Sequence, residues 1–279
     1  MSTVKEKNKD LVGWLLALLL LPFLIIMIFP FLYMISSTFK EAVAVLNDGF
    51  NLIPKQATLK AYKTVFSTNN FFQYFINSSI VAVIVVSANI LLAPMVAYAF
   101  AKKDFPGKKF FFMLLLSTMM IPIHLTLIPL YKFFTDIKWM NTYQVLIVPF
   151  LVTPLSIFLM RQYIAGLPGE LEQSARIDGC SEMGIYWKII FPLTGPAMAV
   201  MVINTFLSIW NSYMWPFIFV SKQNLWTLTV GVANYGSYRQ AAFNETMVTA
   251  TIAALPTAIV FLVFQKYIIS GLTAGAVKG

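Results

Sequence analysis

The sequence predicts an all-α, polytopic membrane protein with six transmembrane helices, and three observations lead there. Of 279 residues, 59% are hydrophobic and only 11% charged, against roughly 45–50% and about 25% in soluble domains. The mean hydropathy is +0.76. The charged residues fall in clusters between long apolar runs, as expected of helices that satisfy their own backbone groups in lipid. The formal charge of +9 therefore reads as anchoring to membrane lipid rather than as a basic face for nucleic acid, which is not an expected partner.

The first apolar run, residues 11–35, follows the charged leader Lys5-Glu6-Lys7-Asn8-Lys9-Asp10. It exceeds the ~7–15-residue core of a signal peptide and ends without a small-x-small cleavage site, so it is expected to remain as a span. Pro22 and Pro30 are tolerated there as kinks. Residues 36–71 carry Asp48-Gly49, Asn51 and Pro54, which are loop signals. They form the first external loop, with a short amphipathic piece at about 59–66. Later runs cover about 75–100, 110–131, 145–160, 189–219 and 248–269. Each is near or above the ~20 residues that cross hydrocarbon as a helix, the run at 145–160 being the short one. Residues 1–72 thus hold leader, first span and external loop, and residues 73–279 a five-helix core with a cytoplasmic helical segment at about 167–187.

Lys and Arg in short loops stay cytoplasmic. Lys5, Lys7 and Lys9, then Lys102, Lys103, Lys108 and Lys109, then Arg161, Arg176 and Lys188 outnumber Lys132 and Lys138 or Lys222 and Arg239 in the alternate connections. Both termini are expected inside. Lys40, Lys55, Lys60 and Lys63 dilute the bias, but long loops weigh less in this rule.

Several chemistries are missing. Every Asp and Glu falls in the leader or a connection, which argues against an ion-coupled secondary carrier, since coupling needs an ionisable group at membrane depth. There is no G-x-x-x-x-G-K-[ST] loop, no G-x-S-x-G elbow and no H-E-x-x-H pair. The chain is not expected to be an enzyme, and any ATP that drives it must act elsewhere. The single cysteine, Cys180, reads as a small structural residue. The single histidine, His124, reads as a hydrogen-bonded structural group or a polar pathway group, and no metal site is expected.

The fourth connection is polar yet organised: Leu167-Pro168-Gly169-Glu170-Leu171-Glu172-Gln173-Ser174-Ala175-Arg176-Ile177-Asp178-Gly179. Pro168 near the start, Glu170 and Glu172 in the first turn and Gly179 past the end predict a short helix. Leu171, Ser174, Ala175 and Asp178 share a face by spacing. A second turn starts near Ser181, an N-cap candidate, and runs through Met183 and Trp187. The result is a cytoplasmic knob with a small-residue waist, suited either to a cleft in another protein or to the membrane surface.

This segment resembles the coupling signature of binding-protein-dependent ABC importer permeases: Glu-Ala-Ala, three residues, Gly, nine residues, Ile-x-Leu-Pro. Here it reads Gln173-Ser174-Ala175, three residues, Gly179, nine residues, Ile189-Ile190-Phe191-Pro192. Gln173 departs from Glu and loses its charge, and Ser174 departs from Ala but stays small. Similarity to the carbohydrate-uptake branch runs from about Asn77 to the C-terminus. It includes Ala97-Tyr98-Ala99-Phe100-Ala101, Phe105-Pro106-Gly107-Lys108, Met120-Ile121-Pro122, Ile128-Pro129-Leu130-Tyr131, Arg161-Gln162-Tyr163, Trp210-Asn211, Leu255-Pro256 and the ending Ser270-Gly271-Leu272-Thr273-Ala274-Gly275-Ala276-Val277-Lys278-Gly279. That ending is similar to the second permease subunit of maltose-type importers.

The resemblance implies the type I importer permease fold in a bacterial inner membrane, with a second homologous permease subunit, two ATPase subunits and an extracytoplasmic sugar-binding protein as partners. ATP and Mg would sit on the ATPases, with no cofactor in this chain. It implies ATPase coupling through Leu171, Gln173, Ser174, Ala175, Asp178, Gly179, Met183 and Pro192, and an ATPase-regulating tail at Gly275, Val277 and Lys278, where a glycine-rich terminus that simply frays is the other reading. For the pathway, the polar and aromatic residues Asn204, Ser208, Trp210, Asn211 and Tyr213 of the fifth span offer the chemistry that binds sugars. Polar residues also join helices in membranes, and Trp also marks the interface. Trp226, Tyr235, Tyr238 and Arg239 fall in the external connection expected to meet the binding protein. Another binding-protein-delivered solute, such as glycerol phosphate, is the alternative cargo.

Overall fold

The computed structural model describes residues 2–68, 70–239 and 243–276. Among them the regular structure is entirely helical. In chain order come α1 (Ser2–Ser37), α2 (Ala42–Asn47), α3 (Lys60–Thr68), α4 (Phe71–Lys102), α5 (Lys108–Met119), α6 (Ile123–Asp136) and α7 (Tyr143–Ile147). They are followed by α8 (Pro154–Ala165), α9 (Glu170–Ile177), α10 (Glu182–Ile185), α11 (Phe191–Leu193) and α12 (Gly195–Trp210). The last are α13 (Met214–Phe219), α14 (Leu228–Arg239) and α15 (Phe243–Ala276).

Four stretches are long and apolar enough to cross a membrane: Leu16–Ser37, Phe71–Lys102, Tyr143–Ala165 and Phe243–Lys266. Two bent helix pairs, α5 with α6 at 98° and Glu182–Leu193 with α12 at 74°, pass the same test only when taken together, so that the described residues offer four spans, or six if each pair is counted as one. The sequence reading gives one continuous apolar run at each place, 110–131 and 189–219, and local chemistry breaks them. At the first bend the Ser117 and Thr118 hydroxyls donate to the carbonyls of Leu114 and Leu115, both at 2.7 Å. Pro122 then takes extended backbone, lacks an N–H and excludes Ile121 from the helical region. At the second bend Pro192 and Pro196 flank Thr194, whose hydroxyl donates to Phe191 O at 2.6 Å. A π-turn at Tyr186–Ile190 precedes that break.

The chain divides into two compact units, residues 1–71 with 232–254 and residues 72–231 with 255–279. In the first, the loop between α1 and α4 is ordered by polar anchors. Lys40 is 1% exposed; its ammonium donates to Asn51 O, and Asn244 Nδ2 donates to Lys40 O at 2.9 Å. Tyr62 OH donates to Thr38 Oγ1 at 3.0 Å, which fixes α3.

In the second unit α4 carries two buried asparagines. Asn77 Nδ2 donates to Asn224 O and Trp226 O at 3.0 and 2.8 Å. Asn89 Nδ2 donates to Phe150 O at 2.8 Å while its Oδ1 accepts from Thr153 N at 3.2 Å. Each satisfies backbone groups at a helix break that lipid could not. Two apolar clusters form within this unit. One gathers Tyr98, Ile157, Met160, Ala175, Ile185 and Met201, the other Val85, Phe134, Val145, Trp215 and Phe219. The segment expected as an external connection at 220–246 contains the helix α14, and Tyr235 on it is buried and donates to Glu245 Oε2 at 3.0 Å.

Candidate functional site

The knob is built from α9 and α10. Glu170 and Glu172 lie in the first turn of α9 and Arg176 in the last, the favourable order for its dipole. Gly179 ends it at φ +77°, the left-handed region. Cys180 N donates to Ala175 O at 2.9 Å, the long bond of a Schellman cap. The Ser181 hydroxyl caps α10 by accepting from Gly184 N at 3.2 Å.

Of the residues that the sequence places on one face, the structure turns Ala175 inward, 4% exposed and packed in the Tyr98–Met160 cluster. Leu171, Gln173, Ser174, Asp178, Gly179 and Met183 stay exposed, joined by Ile177 at 86%. Spacing alone groups 171, 174, 175 and 178, but Glu172 and Ala175 are the residues that reach inward, which rotates the helix. Pro192 is exposed in α11, at the bend rather than on the knob. Val277 and Lys278 lie outside the described residues, and Gly275 falls in the last turn of α15.

A charge network ties the knob to the end of α4. Glu172 is 4% exposed. It accepts a hydrogen bond from Tyr98 OH at 3.1 Å and lies 3.5 Å from Lys102 Nζ, 3.9 Å from Lys103 Nζ and 3.7 Å from an Arg176 guanidinium nitrogen. Lys102 Nζ also donates to Leu167 O at 2.5 Å. Arg176 Nε donates to Glu182 Oε1 at 2.8 Å, and Lys103 pairs with the other oxygen. The bonds from Arg176 and then Lys103 hold the Glu182 carboxyl down at about 2. Burial pushes Lys103 down, but the Glu182 carboxylate and Tyr98 hydroxyl outweigh it and leave the ammonium above its usual range. Glu172 and its α4 partners were not found from sequence, because no spacing rule links positions 98, 102 and 172.

Two adjoining pockets run along α12, sharing Phe150, Ser208 and Ile209. The smaller, about 130 Å³, is lined by Thr153, Ser156, Asn204, Thr205 and Met201 among others. The larger, about 210 Å³, adds His124, Ser212, Tyr213, Met214 and Trp215. Asn204 and Ser208 lie four residues apart and so on one stripe of the helix. The expected pathway set divides here. Asn204, Ser208 and Tyr213 line the groove, and Asn211 is exposed and donates to its own helix at Leu207 O, 3.0 Å. Trp210 is 4% exposed, stacked on Phe206 at 5.5 Å and edge-on to Phe75 at 5.6 Å, and so packs inside the protein. His124, read from sequence as either a structural or a pathway group, lines the groove; Thr153 and Ser156 line it too and were not assigned, although clusters of hydroxyls at the helix breaks were the available signal.

Apolar helices broken where polar groups line a groove, with an exposed two-helix knob between them, fit a membrane-embedded transport subunit. The sequence matches the binding-protein-dependent transport system inner membrane component over residues 89–273, and the chain belongs to this family. It is accordingly a multi-pass membrane subunit of a bacterial ABC importer. It is 35% identical over 279 residues to the arabinooligosaccharides transport system permease protein AraQ of Halalkalibacterium halodurans, covering 99% of this chain and 100% of that one. It is 34% identical over 260 residues to the trehalose/maltose transport system permease protein MalG of Thermococcus litoralis, covering 91% and 93%. Its fold resembles a chain in the crystal structure of a bacterial ABC transporter that imports the acidic polysaccharide alginate, with a TM-score of 0.79, 26% identity and coverage of 93% and 97%.

Proposed function

We propose that this chain is the permease through which a sugar or oligosaccharide, delivered by an extracytoplasmic binding protein, crosses the membrane at the expense of ATP hydrolysed by separate subunits. A second homologous permease completes the pathway, and two ATPase subunits, which carry ATP and Mg, take up the knobs. The exposed set Gln173, Ser174, Ile177, Asp178 and Met183 carries the reading. It combines polar and apolar side chains at a rigid capped corner, and the chain itself has no use for it. Both termini are cytoplasmic in this reading. The Lys102–Lys109 connection and the knob are joined by ion pairs, which supports placing these two basic connections on one side, as their charge bias expects. Residues 1–72 then form leader, first span and external loop, and 73–279 the permease core.

The binding energy of ATP closes the ATPase dimer, and the permease responds only so far as its docked knob distinguishes the two states. The groove suits a neutral solute. His124 is the single ionisable side chain, apart from Tyr213, among its lining residues, with no Lys or Arg, whereas a phosphorylated solute calls for cationic or multiple N–H donors. Neutral sugars want hydroxyl and amide partners with an aromatic face, which Asn204, Ser208, Ser212 and Tyr213 offer. Two relatives are named for arabino-oligosaccharides and for trehalose or maltose, which supports a saccharide cargo, while the importer that the fold resembles takes an acidic one. Reconstitution of the complete importer in proteoliposomes tests the proposal. Uptake of a neutral oligosaccharide is expected to require ATP, the ATPases and the binding protein. Uptake that follows a proton or sodium gradient without ATPase would overturn it.

A further inference from the structure

The knob is too short to stand alone. α9 has eight residues, and isolated helices below about 12–15 residues are marginal in water, so its orientation depends on what it touches. Two of its side chains are buried, Glu172 and Ala175. Ala175 contributes a single methyl group. Glu172 meets the phenol of Tyr98 and the ammonium of Lys102 on α4, the ammonium of Lys103 just past its end, and Arg176 one turn along its own helix. Arg176 and Lys103 meet again at Glu182 on α10. Two carboxylates thus alternate with three cations, and the network links α4, α9 and α10. It is least exposed at Glu172, where an unpaired charge would be most costly.

We infer that Glu172 is a positioning residue that locks the knob to α4, so that displacement of α9 by an ATPase is carried into this central span as one body. The inference rests on the functional reading above. It also separates two roles that the motif places side by side: Gln173 faces out towards a partner, and Glu172 faces in towards the permease. Glu172 is therefore not a substitute for the charge that Gln173 lacks.

The test uses the complete reconstituted importer with Cys180→Ser as background. Sugar taken up per ATP hydrolysed is measured for the parent, Glu172→Gln, Glu172→Asp, Lys102→Gln and Lys109→Gln. In parallel, spin labels at Glu170 and Leu92, both exposed and outside the docking set, report the distance from knob to α4. In Glu172→Gln the ratio is expected to fall at least about fivefold, the lower end of ordinary coupling free energies, with a broadened distance distribution. Lys102→Gln moves both readouts in the same direction, Glu172→Asp restores part of each, and Lys109→Gln, on an exposed lysine outside the network, changes neither. A parental ratio and narrow distances in both Glu172→Gln and Lys102→Gln would overturn the inference, as would an equal loss in Lys109→Gln. Failure of Glu172→Gln to assemble, with Lys102→Gln at the parental ratio, would assign Glu172 to folding and also overturn it. The distance readout needs no solute, so it decides the anchoring even where the parent imports no sugar and the functional reading itself fails.

Discussion

Gly179 separates two demands that its motif combines. Its φ of +77° suits glycine, and a Cβ built there meets nothing within 4 Å of the chain's own atoms. Added bulk is therefore felt only by a docked partner, while the backbone cost falls on any non-glycine residue and is least for Asn. Gly179→Trp is expected to lower ATP-driven uptake about tenfold or more below Gly179→Asn, measured in proteoliposomes; equal uptake would remove the partner from the argument. Glu182 gives a prediction about pH. Its folded value of about 2 lies below the ordinary 4.5. Its stabilisation is therefore complete above the ordinary value and is lost only as the pH falls through about 2. Hydrogen-exchange protection of α9 should accordingly stay flat between about pH 5 and pH 8. Because Glu182 is more than half exposed, its pairs are screened and contribute little alone. The inward direction of the knob was not legible in the sequence. It is set by the partners of Glu172 at positions 98, 102 and 103, some seventy residues away, and a single sequence carries no signal of that contact.

Helices as such were legible, because a run of about twenty apolar residues has few alternatives in lipid. The bends were not. Met120-Ile-Pro122 and Thr194-Gly-Pro196 sit inside apolar runs, and proline in a membrane helix ranges from a mild kink to a break according to its neighbours. The helix α14 was also missed, since Gly231, Gly236 and several polar residues give it little periodicity. Packing holds it instead: a Cβ on Gly231 would lie 2.2 Å from the Tyr74 ring, and Tyr74 is itself buried and set against Trp226 at 5.9 Å. Gly231→Ala is expected to cost about 1–3 kcal/mol through overpacking, read as a lower midpoint of thermal unfolding in detergent. An unchanged midpoint would mean that the ring has room to move.

For the molecule as a whole, the balance of charge agrees with the proposed orientation better than the raw residue count does. Lys40, which dilutes the bias, is buried and bonded to Asn51 O, so it serves the fold of the loop between α1 and α4 rather than the membrane surface. Lys102, Lys103 and Arg176 pair with Glu172 and Glu182, but Lys109 remains exposed beside them. The broad apolar surface of residues 16–35, none of them buried, is left for lipid or for other subunits. The central claim is that the knob faces the cytoplasm and docks on an ATPase. Its most direct test places a single cysteine at Ser174 in the Cys180→Ser background of the assembled importer. The account predicts that a membrane-impermeant thiol reagent leaves Ser174→Cys unmodified in intact cells, and that in inverted vesicles this cysteine cross-links to the ATPase subunit. Modification from outside intact cells, or no ATPase cross-link in vesicles that hold the full complex, would contradict it.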